Sequence, residues 1–490
     1  MLLGIDIGSS GVKAALVDGE VGVVATAQHA VGLYSPAPGW AEAEPEQWWQ
    51  GVCGTVSELC ASAGSAAIDS VSCSGMVPAV VALDADGAPL RRAILQNDAR
   101  ATDELDDLRA QLHDVDFVSL TGSDLTQQSV APTLCWLRRH EPAVYRRTRM
   151  VVGSYDWVAH RLGGELHVER NWAIESGLYS IAGEPFSRLF QAAEVEPELL
   201  PPVSEPAEVV GEVSAAAAAQ TGLRPGTPIV VGGADHVLSA YGAGLLGAGD
   251  WLVKLGGAGD ILVVSDTPVV DRRLYLDAHP AGGWLPNGCM ATSGSLLRWL
   301  SQLTGGAPLE TLDAEASATP PGAGGIVCLP YFLGEKSPLQ DPRLRGAFVG
   351  LHLGHDRGHL HRAALEAVAF GFRHHVEVFG ECGVKLGAAR VTNGGSASAL
   401  WKQILADVLD VPLRAVVGHP GASFGAALAG GVGVGAVPGW DVVGGLVKLG
   451  ESFEPNEANR SLYDEHYALY RELGQTIAPV SHQLSREVLN

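Results

Sequence analysis

Two short glycine turns, each between apolar strands, are the features of this sequence best suited to holding a polyphosphate. The first is Gly8-Ser9-Ser10-Gly11 and the second is Gly256-Gly257-Ala258-Gly259. Glycine lets backbone amides approach phosphate oxygens without a Cβ in the way. Plain hairpin turns have the same spacing, so spacing alone leaves both interpretations open. The chain contains no GxxxxGKS or GxxxxGKT segment, which excludes P-loop chemistry.

Two aspartates stand where a carboxylate can do chemistry. Asp6 precedes the first turn in an apolar strand, where a carboxylate is costly unless it has a counter-charge such as Mg²⁺ bridging ATP phosphates; the structural alternative is a set of hydrogen bonds from the turn amides. Asp235 follows Gly232-Gly233-Ala234 at a predicted helix start, a position that suits an N-cap and equally a general base. His236 beside it is a candidate substrate contact, although such histidines more often cap a helix or face solvent.

The elements that must position these residues alternate between strands and helices, which predicts an α/β fold. Strands are predicted at residues 2–7, 12–17, 21–25, 228–231, 251–255, 261–264 and 390–392, and helices from residue 236 and over 360–379 and 397–409. The order strand, glycine turn, strand recurs in both halves. Because 490 residues exceed what one core usually supports, we predict two domains, 1–245 and 246–490.

Composition limits the partners and the compartment. The 32 Lys and Arg against 55 Asp and Glu give a net charge of −23, which argues against nucleic acid and anionic membranes as partners. The seven cysteines are scattered without a CxxC pair, and Asp6 comes too early for a signal peptide, so we predict reduced thiols in the cytoplasm. The uncharged stretch 415–440 is rich in glycine and contains proline, which predicts a packed helix with loops instead of a membrane span.

Several motifs, taken together and in order, resemble the FGGY family of carbohydrate kinases, closest to its D-xylulokinase branch. The similarity covers nearly the whole chain. The segments that carry it are Gly4 to Lys13, Pro38-Gly39-Trp40-Ala41-Glu42 with Pro45, Trp48 and Trp49, Gly232 to Asp235, Leu329-Pro330-Tyr331 with Gly334 to Pro338, the second family signature from Gly346 to Glu366, and Asn393-Gly394-Gly395-Ser396.

This resemblance implies a two-domain actin-like (ribonuclease H-like) fold with a central cleft, and transfer of phosphate from ATP to a hydroxyl of a small sugar or polyol, most simply a ketopentose such as D-xylulose. It implies that Asp235 is the general base, that Asp6 and Asp235 hold Mg²⁺, and that the protein forms a homodimer. The implied ATP contacts are Gly8, Ser9, Ser10, Lys13, Gly256, Gly257, Gly294, Arg298, Gly394, Gly395 and Ser396. The implied sugar contacts are Met76, Val77, Gln96, Asp235 and His236.

The chain also departs from the family pattern. Gly257 and Ala258 replace a Thr-Ser pair in the second phosphate turn, Val77 replaces a histidine after Met76, Gln96 replaces a tryptophan, and Thr133 replaces a lysine. Lost hydrogen-bonding groups can redirect substrate choice strongly. A kinase for another ketose or a polyol therefore stays open. Two alternatives are not sugar kinases. One is a catalytically weak regulator that binds nucleotide and sugar, and the other is an ATPase that activates another enzyme.

Overall fold

The computed structural model describes residues 1–63, 68–419 and 421–488, which form strands, helices and short 3₁₀ turns. The strands are β1 (Leu2–Ile7), β2 (Gly11–Asp18), β3 (Gly22–Ala30), β4 (Leu33–Tyr34), β5 (Glu42–Ala43), β6 (Ser70–Gly75), β7 (Val81–Leu83), β8 (Ala93–Ile94), β9 (Met150–Val152), β10 (Val168–Glu169), β11 (Val203–Ser204), β12 (Val209–Glu212), β13 (Pro228–Ala234), β14 (Trp251–Leu255), β15 (Gly259–Val263), β16 (Tyr275–Ala278), β17 (Trp284–Met290), β18 (Val327–Leu329), β19 (Ala347–Val349), β20 (Ala389–Thr392), β21 (Leu413–Val417) and β22 (Lys448–Phe453).

The α-helices are α1 (Pro45–Ala63), α2 (Thr102–Gln111), α3 (Phe117–Thr121), α4 (Val130–His140), α5 (Pro142–Arg147), α6 (Ser154–Leu162), α7 (Arg170–Glu175), α8 (Ser187–Ala193), α9 (Ala215–Thr221), α10 (Asp235–Gly242), α11 (Gly294–Leu303), α12 (Leu309–Ala318), α13 (Arg357–Glu381), α14 (Ala399–Leu409), α15 (Ala422–Gly433), α16 (Val442–Leu446) and α17 (Arg460–Val488). The predicted helices at 360–379 and 397–409 are confirmed as α13 and α14; three of the four ends are shifted by two or three residues, and the end of α14 at Leu409 is as predicted.

The chain divides into two compact units that interleave in sequence. The first comprises Met1–Leu246, Leu276–Leu285 and Pro420–Val447, and the second comprises Gly247–Tyr275, Pro286–His419 and Lys448–Asn490. The first change of unit falls beside the predicted boundary between residues 245 and 246. We predicted two continuous domains, whereas the segments Leu276–Leu285 and Pro420–Val447 belong to the first unit. The sequence did not predict this, because a local pattern does not show which sheet a helix such as α15 covers.

The first unit is built on a sheet with the strand order β12-β13-β6-β1-β2-β3. β1 pairs antiparallel with β2 and parallel with β6, and β6 pairs parallel with β13. Every residue of β6 is buried. In register, Gly75 stands opposite both Ile7 and Ala234. The segments that follow β1, β6 and β13 therefore emerge at one edge, where α/β sheets usually bind ligands.

Helix α15 lies close against this sheet because glycines remove the intervening side chains. A Cβ on Gly4 of β1 would lie 1.9 Å from the carbonyl oxygen of Ser423, and a Cβ on Gly425 would lie 2.1 Å from the carbonyl oxygen of Leu238 in α10. The stretch 415–440 thus contains a packed helix, as predicted. In the ranges that the structure describes, no helix is long and apolar enough to cross a membrane.

The second unit repeats the central pairing of the first. Its main sheet includes the strand order β17-β15-β14-β20-β21-β22, and β18 and β19 pair separately. β14 pairs antiparallel with β15 and parallel with β20, just as β1 pairs with β2 and β6. The long helix α13 packs within the core of this unit, with Leu365, Phe372 and Phe379 fully buried. The recurrence predicted from the two glycine turns is therefore confirmed as two sheets of related topology.

Candidate active site

The first glycine turn places several polar groups at the edge of the first sheet. The amide of Gly8 donates to the carbonyl oxygen of Gly11 over 3.0 Å, which closes the turn between β1 and β2. Ser9 and Ser10 are exposed, and the exposed Lys13 stands opposite the half-buried Asp6 in the register of β1 and β2. The turn therefore offers hydroxyls, backbone amides and an ammonium group beside one carboxylate.

Asp235 reaches the same edge from β13. Helix α10 begins at Asp235, and Ala234 occupies the N-cap position without any side-chain cap. The N-cap role that the sequence left open for Asp235 is therefore wrong, because the carboxylate belongs to the first helical residue. Its side chain is 40% exposed, and the helix dipole stabilises negative charge at this end. Since β6 lies between β1 and β13, the strand ends carrying Asp6 and Asp235 are about 10 Å apart.

The path of the chain into Asp235 depends on Gly232. The pairing of β13 with β6 shifts register between Val231 and Gly233, as in a β-bulge. A Cβ on Gly232 would lie 2.0 Å from the carbonyl oxygen of Cys73 in β6, whereas a Cβ on Gly233 would meet no atom closer than 3.5 Å. Only the first of the two glycines is therefore required for the close approach of the strands.

The predicted sugar contacts Met76, Val77 and Gln96 lie on two segments that run side by side. Met76 and Val77 directly follow β6 and are buried. An isolated bridge pairs Val80 with Ile94 in antiparallel fashion, so Gln96 runs alongside the residues just after Val77. The Oε1 atom of Gln96 is buried and has no hydrogen-bond partner among the described residues. A buried acceptor of this kind is suited to a ligand hydroxyl.

The segment that carries Gln96 is held by an ion cluster. The guanidinium of Arg100 contacts Glu42 over 2.8 Å and Asp98 over 2.7 Å, and it stacks on the ring of Trp40 at 3.8 Å. Asp98 also accepts a hydrogen bond from the amide of Ala41 over 2.6 Å. The tryptophan-rich motif at residues 38–42 therefore fixes the loop beyond β8, and Arg100 is a member of this network that the sequence did not reveal.

A second cluster surrounds His236. Its Nε2 atom lies 2.8 Å from Oδ2 of Asp277 and 3.7 Å from Oε1 of Glu175, and its Nδ1 atom lies 3.5 Å from Oδ1 of Asp235. Burial lowers the pKa of His236, but Asp277, Asp235 and Glu175 outweigh it and hold that pKa well above its ordinary value. Burial, and then the charge of Asp277, raise the pKa of Glu175 well above its usual range.

The same three side chains could also hold a cation. One ligand atom each from Glu175, His236 and Asp277 lies within 4.8 Å of the others, a spacing compatible with a divalent metal. A protonated imidazole already supplies positive charge to these carboxylates. Glu175 and Asp277 were missed from the sequence; the available signal was a charged residue, Asp277, inside the apolar strand β16.

In the second unit, the helix that follows β17 supports the second glycine turn. The amide of Ser293 donates to the carbonyl oxygen of Gly257 over 2.8 Å, and the amide of Gly294 donates to that of Gly256 over 2.9 Å. The hydroxyl of Ser295 also donates to Gly257 over 2.8 Å. The amide of Gly294 therefore holds the turn itself. A Cβ on Gly257 would lie 3.1 Å from Nη2 of the exposed Arg298, so a cationic side chain lies over the turn.

The predicted adenosine segment lies against the same turn. A Cβ on Gly395 would lie 2.6 Å from Cβ of Leu255 and 2.5 Å from the ring of Trp401, and a Cβ on Gly256 would lie 3.3 Å from Nδ2 of Asn393. Gly394 has open space beside it, and the hydroxyl of Ser396 donates to the carbonyl oxygen of Asn393. Ser398 caps α14 by accepting from the amide of Trp401. The structure thus brings together the second-unit residues predicted to bind ATP.

Comparisons with known proteins identify the family of this chain. The N-terminal domain model of the FGGY family of carbohydrate kinases matches residues 1–242, and its C-terminal domain model matches residues 253–434. The crystal structure of a xylulose kinase from Rhodospirillum rubrum is 44% identical, covers 98% of this chain and 99% of its own, and superposes with a TM-score of 0.91.

Curated relatives extend the similarity over most or all of the chain. A xylulose kinase from Staphylococcus epidermidis is 27% identical over 100% of this chain and 98% of its own length. A xylulose kinase from Escherichia coli is 30% identical over 83% of this chain and 84% of its own length. The predicted two-domain actin-like α/β fold is confirmed, and the chain belongs to the FGGY family of carbohydrate kinases.

Proposed function

We propose that this protein transfers the γ-phosphate of ATP to a hydroxyl of a ketopentose such as D-xylulose. The observation that carries the proposal is the position of Asp235, a half-exposed carboxylate at the edge of the first sheet, where the first glycine turn also lies. The family assignment makes the chain a carbohydrate kinase that uses ATP. The identity of the sugar rests on the relatives named as xylulose kinases.

In the proposed reaction, the carboxylate of Asp235 accepts the proton of the attacking sugar hydroxyl. The sugar oxygen then forms a bond to the γ-phosphorus as the bond to the β-phosphate oxygen breaks, which yields a sugar phosphate, ADP and a proton. General-base help of this kind contributes about 10²–10⁴ to the rate. Backbone amides of the glycine turns, with Lys13 and Arg298, stabilise the charge on the phosphates.

Mg²⁺ is the expected cofactor, and the donor set fits it. Asp6 and Asp235 present carboxylates from two strand ends of one sheet edge, and Mg²⁺ is usually held by one or two carboxylates together with phosphate oxygens and water. The ion would neutralise the charge of the triphosphate. Asp6 serves this role from β1 and Lys13 lies opposite it on β2, so both signs of charge are available to orient the nucleotide.

The sugar contacts on this proposal come from Met76, Val77 and Gln96, beside Asp235 and His236. Gln96 offers the buried acceptor described above, whereas the side chain of Val77 has no polar atom. A pocket with one amide and two apolar side chains has a different hydrogen-bonding pattern from one with histidine and tryptophan at these positions. Another ketose or a polyol is therefore the alternative substrate. The three relatives named above are each named as a xylulose kinase, which supports a kinase over a regulator.

The remaining assignments belong to the same proposal. The seven cysteines are all free, which agrees with a reducing cytoplasm. The net charge of −23 disfavours nucleic acid and anionic lipid as partners. A homodimer is expected from the family resemblance, and sedimentation at several protein concentrations would test it.

The test is a coupled ADP-release assay with ATP, Mg²⁺ and a panel of ketoses, aldoses and polyols, run on the wild type, Asp235→Asn and Asp103→Asn. Asp103 is an exposed acid in the first turn of α2 and serves as the matched control. We expect one strong substrate, a loss of about 10²–10⁴ in kcat for Asp235→Asn with little change in ATP affinity, and normal turnover for Asp103→Asn. Near-normal turnover in Asp235→Asn would refute the role of this residue.

A further inference from the structure

The side chain of His236 bridges a buried carboxylate and an accessible one. On one side its Nε2 atom lies 2.8 Å from Oδ2 of Asp277, whose side chain is 1% exposed. On the other side its Nδ1 atom lies 3.5 Å from Oδ1 of Asp235, whose side chain is 40% exposed. The carboxylate of Glu175, 3.7 Å from Nε2, also faces the ring. Each ring nitrogen therefore faces a carboxylate of the protein.

Asp277 is itself held in place by the segment around it. Asn171, in the same helix as Glu175, accepts a hydrogen bond from the amide of Ala278 over 2.7 Å and donates one to its carbonyl oxygen over 3.1 Å. The Nε2 atom of His279 donates to the carbonyl oxygen of Leu245 over 3.0 Å. The backbone on the C-terminal side of Asp277 is thus fixed to two other segments of the first unit, so this carboxylate provides a rigid anchor.

We propose that Asp277 is a positioning residue that acts through His236 to hold the carboxylate of Asp235 in its working orientation. This inference rests on the proposed function, because it assumes that Asp235 is the general base. Carboxylate oxygens accept hydrogen bonds, so the protonated ring donates Nε2–H to Asp277 and directs Nδ1–H towards Asp235. On this proposal His236, besides its predicted contact with the sugar, serves the reaction through Asp235.

The expected loss of rate on removing Asp277 follows from how sensitive the reaction is to the position of the Asp235 carboxylate. An error of about 1 Å in a reacting group can cost roughly 10²-fold in rate, and loss of an outer-shell partner typically costs about 10–100-fold. Removing the anchor leaves Asp235 present but less well oriented. The loss should therefore appear in kcat for sugar phosphorylation, while the KM for ATP stays unchanged, because neither His236 nor Asp277 is among the predicted ATP contacts.

The experiment compares Asp277→Ala, Asp277→Asn and a control, Asp156→Ala. Asp156 is also a buried carboxylate of the first unit, 3.5 Å from His167, so its loss reports the cost of deleting such a group in general. We expect Asp277→Ala to lower kcat about 10–100-fold at unchanged KM for ATP. We expect Asp277→Asn to recover most of that loss, because its amide oxygen can still accept from Nε2. Asp156→Ala should lower the melting temperature without lowering kcat of the folded enzyme.

A second measurement does not depend on turnover. Long-range ¹H–¹⁵N spectra of the wild type, with His236 assigned through His236→Gln, should show a hydrogen-bonded Nε2–H that is lost in Asp277→Ala. Absence of this signal in the wild type would overturn the proposal. Three kinetic results would also overturn it: a wild-type kcat in Asp277→Ala, equal losses of kcat in Asp277→Ala and Asp156→Ala, or a kcat of Asp277→Asn as low as that of Asp277→Ala. A wild type that phosphorylates none of the sugars would overturn the proposed function as well, whereas an active wild type with unaffected Asp277 variants would overturn this inference alone.

Discussion

Replacing Gly232 with alanine tests whether the edge of the first sheet sets the position of Asp235. The new Cβ would lie 2.0 Å from the carbonyl oxygen of Cys73, and real Cβ atoms essentially never come closer than 3.0 Å to another heavy atom, so β13 must move by at least about 1 Å. Overpacking of this kind costs about 1–3 kcal/mol, and we expect the upper end because a backbone atom of β6 cannot rotate away. A loss of about 3 kcal/mol corresponds to a melting temperature lower by roughly 6–12 °C.

The same shift should reach the chemistry, because Asp235 follows Gly232 by three residues. We expect kcat to fall about 10²-fold in the coupled ADP-release assay, measured well below the melting temperature. Gly233→Ala is the matched control, since its new Cβ would meet Glu169 at 3.5 Å and Leu238 at 3.6 Å, both ordinary contacts. Wild-type unfolding and turnover in Gly232→Ala, or equal losses in the two variants, would refute this reasoning.

Two further predictions concern metal and pH. EDTA should abolish phosphorylation, and added Mg²⁺ should restore it. Asp6→Asn should raise the half-saturating Mg²⁺ concentration about tenfold, whereas the control Asp18→Asn, at the end of the neighbouring strand, should leave it unchanged. Equal half-saturating Mg²⁺ concentrations in the two variants would contradict a role for Asp6. Burial raises the pKa of Glu335 from 4.5 to about 8, so its contribution to the free energy of unfolding is fully present below about pH 4.5 and is lost as the pH rises towards 8. Urea unfolding should therefore show Glu335→Gln gaining stability over the wild type, by about 1–3 kcal/mol at pH 8, and a constant difference from pH 5 to 8.5 would contradict this.

The sequence predicted best those elements whose apolar sequence pattern matches their burial in the folded protein. The strands β1 and β14 are apolar except for Asp6 and Lys254, all their residues but Asp6 are buried, and each strand is followed by a glycine turn. β3 was predicted over 21–25 but extends over Gly22–Ala30, because its second half carries exposed polar residues that show no apolar alternation. Local periodicity therefore finds buried central strands and underestimates those at a sheet edge.

The parts of the site that the sequence missed are those assembled from distant segments. Asp277 lies more than 40 residues from Asp235 in the chain, and Glu175 lies 60 residues before it. Each is a single carboxylate without a motif around it, so only the fold shows that both face His236. For the same reason, the sequence did not show that residues 276–285 and α15 belong to the first unit, because this depends on contacts between segments remote in sequence.

Within the first unit, the proposed phosphate-transfer residues and the proposed sugar contact Gln96 are held in place by different kinds of contact. Asp6 and Asp235 stand at the ends of buried strands, and Gly4 and Gly232 allow α15 and β6 to approach so closely that these strands cannot shift without a clash. Gln96, in contrast, lies on a loop whose position depends on a cluster of side chains around Arg100. A loop fixed by side chains can change its contacts through a few substitutions, whereas a strand end fixed by backbone contact cannot. The phosphate-transfer groups are therefore expected to tolerate little variation, while the choice of sugar can change at Gln96 and Val77 on the same scaffold.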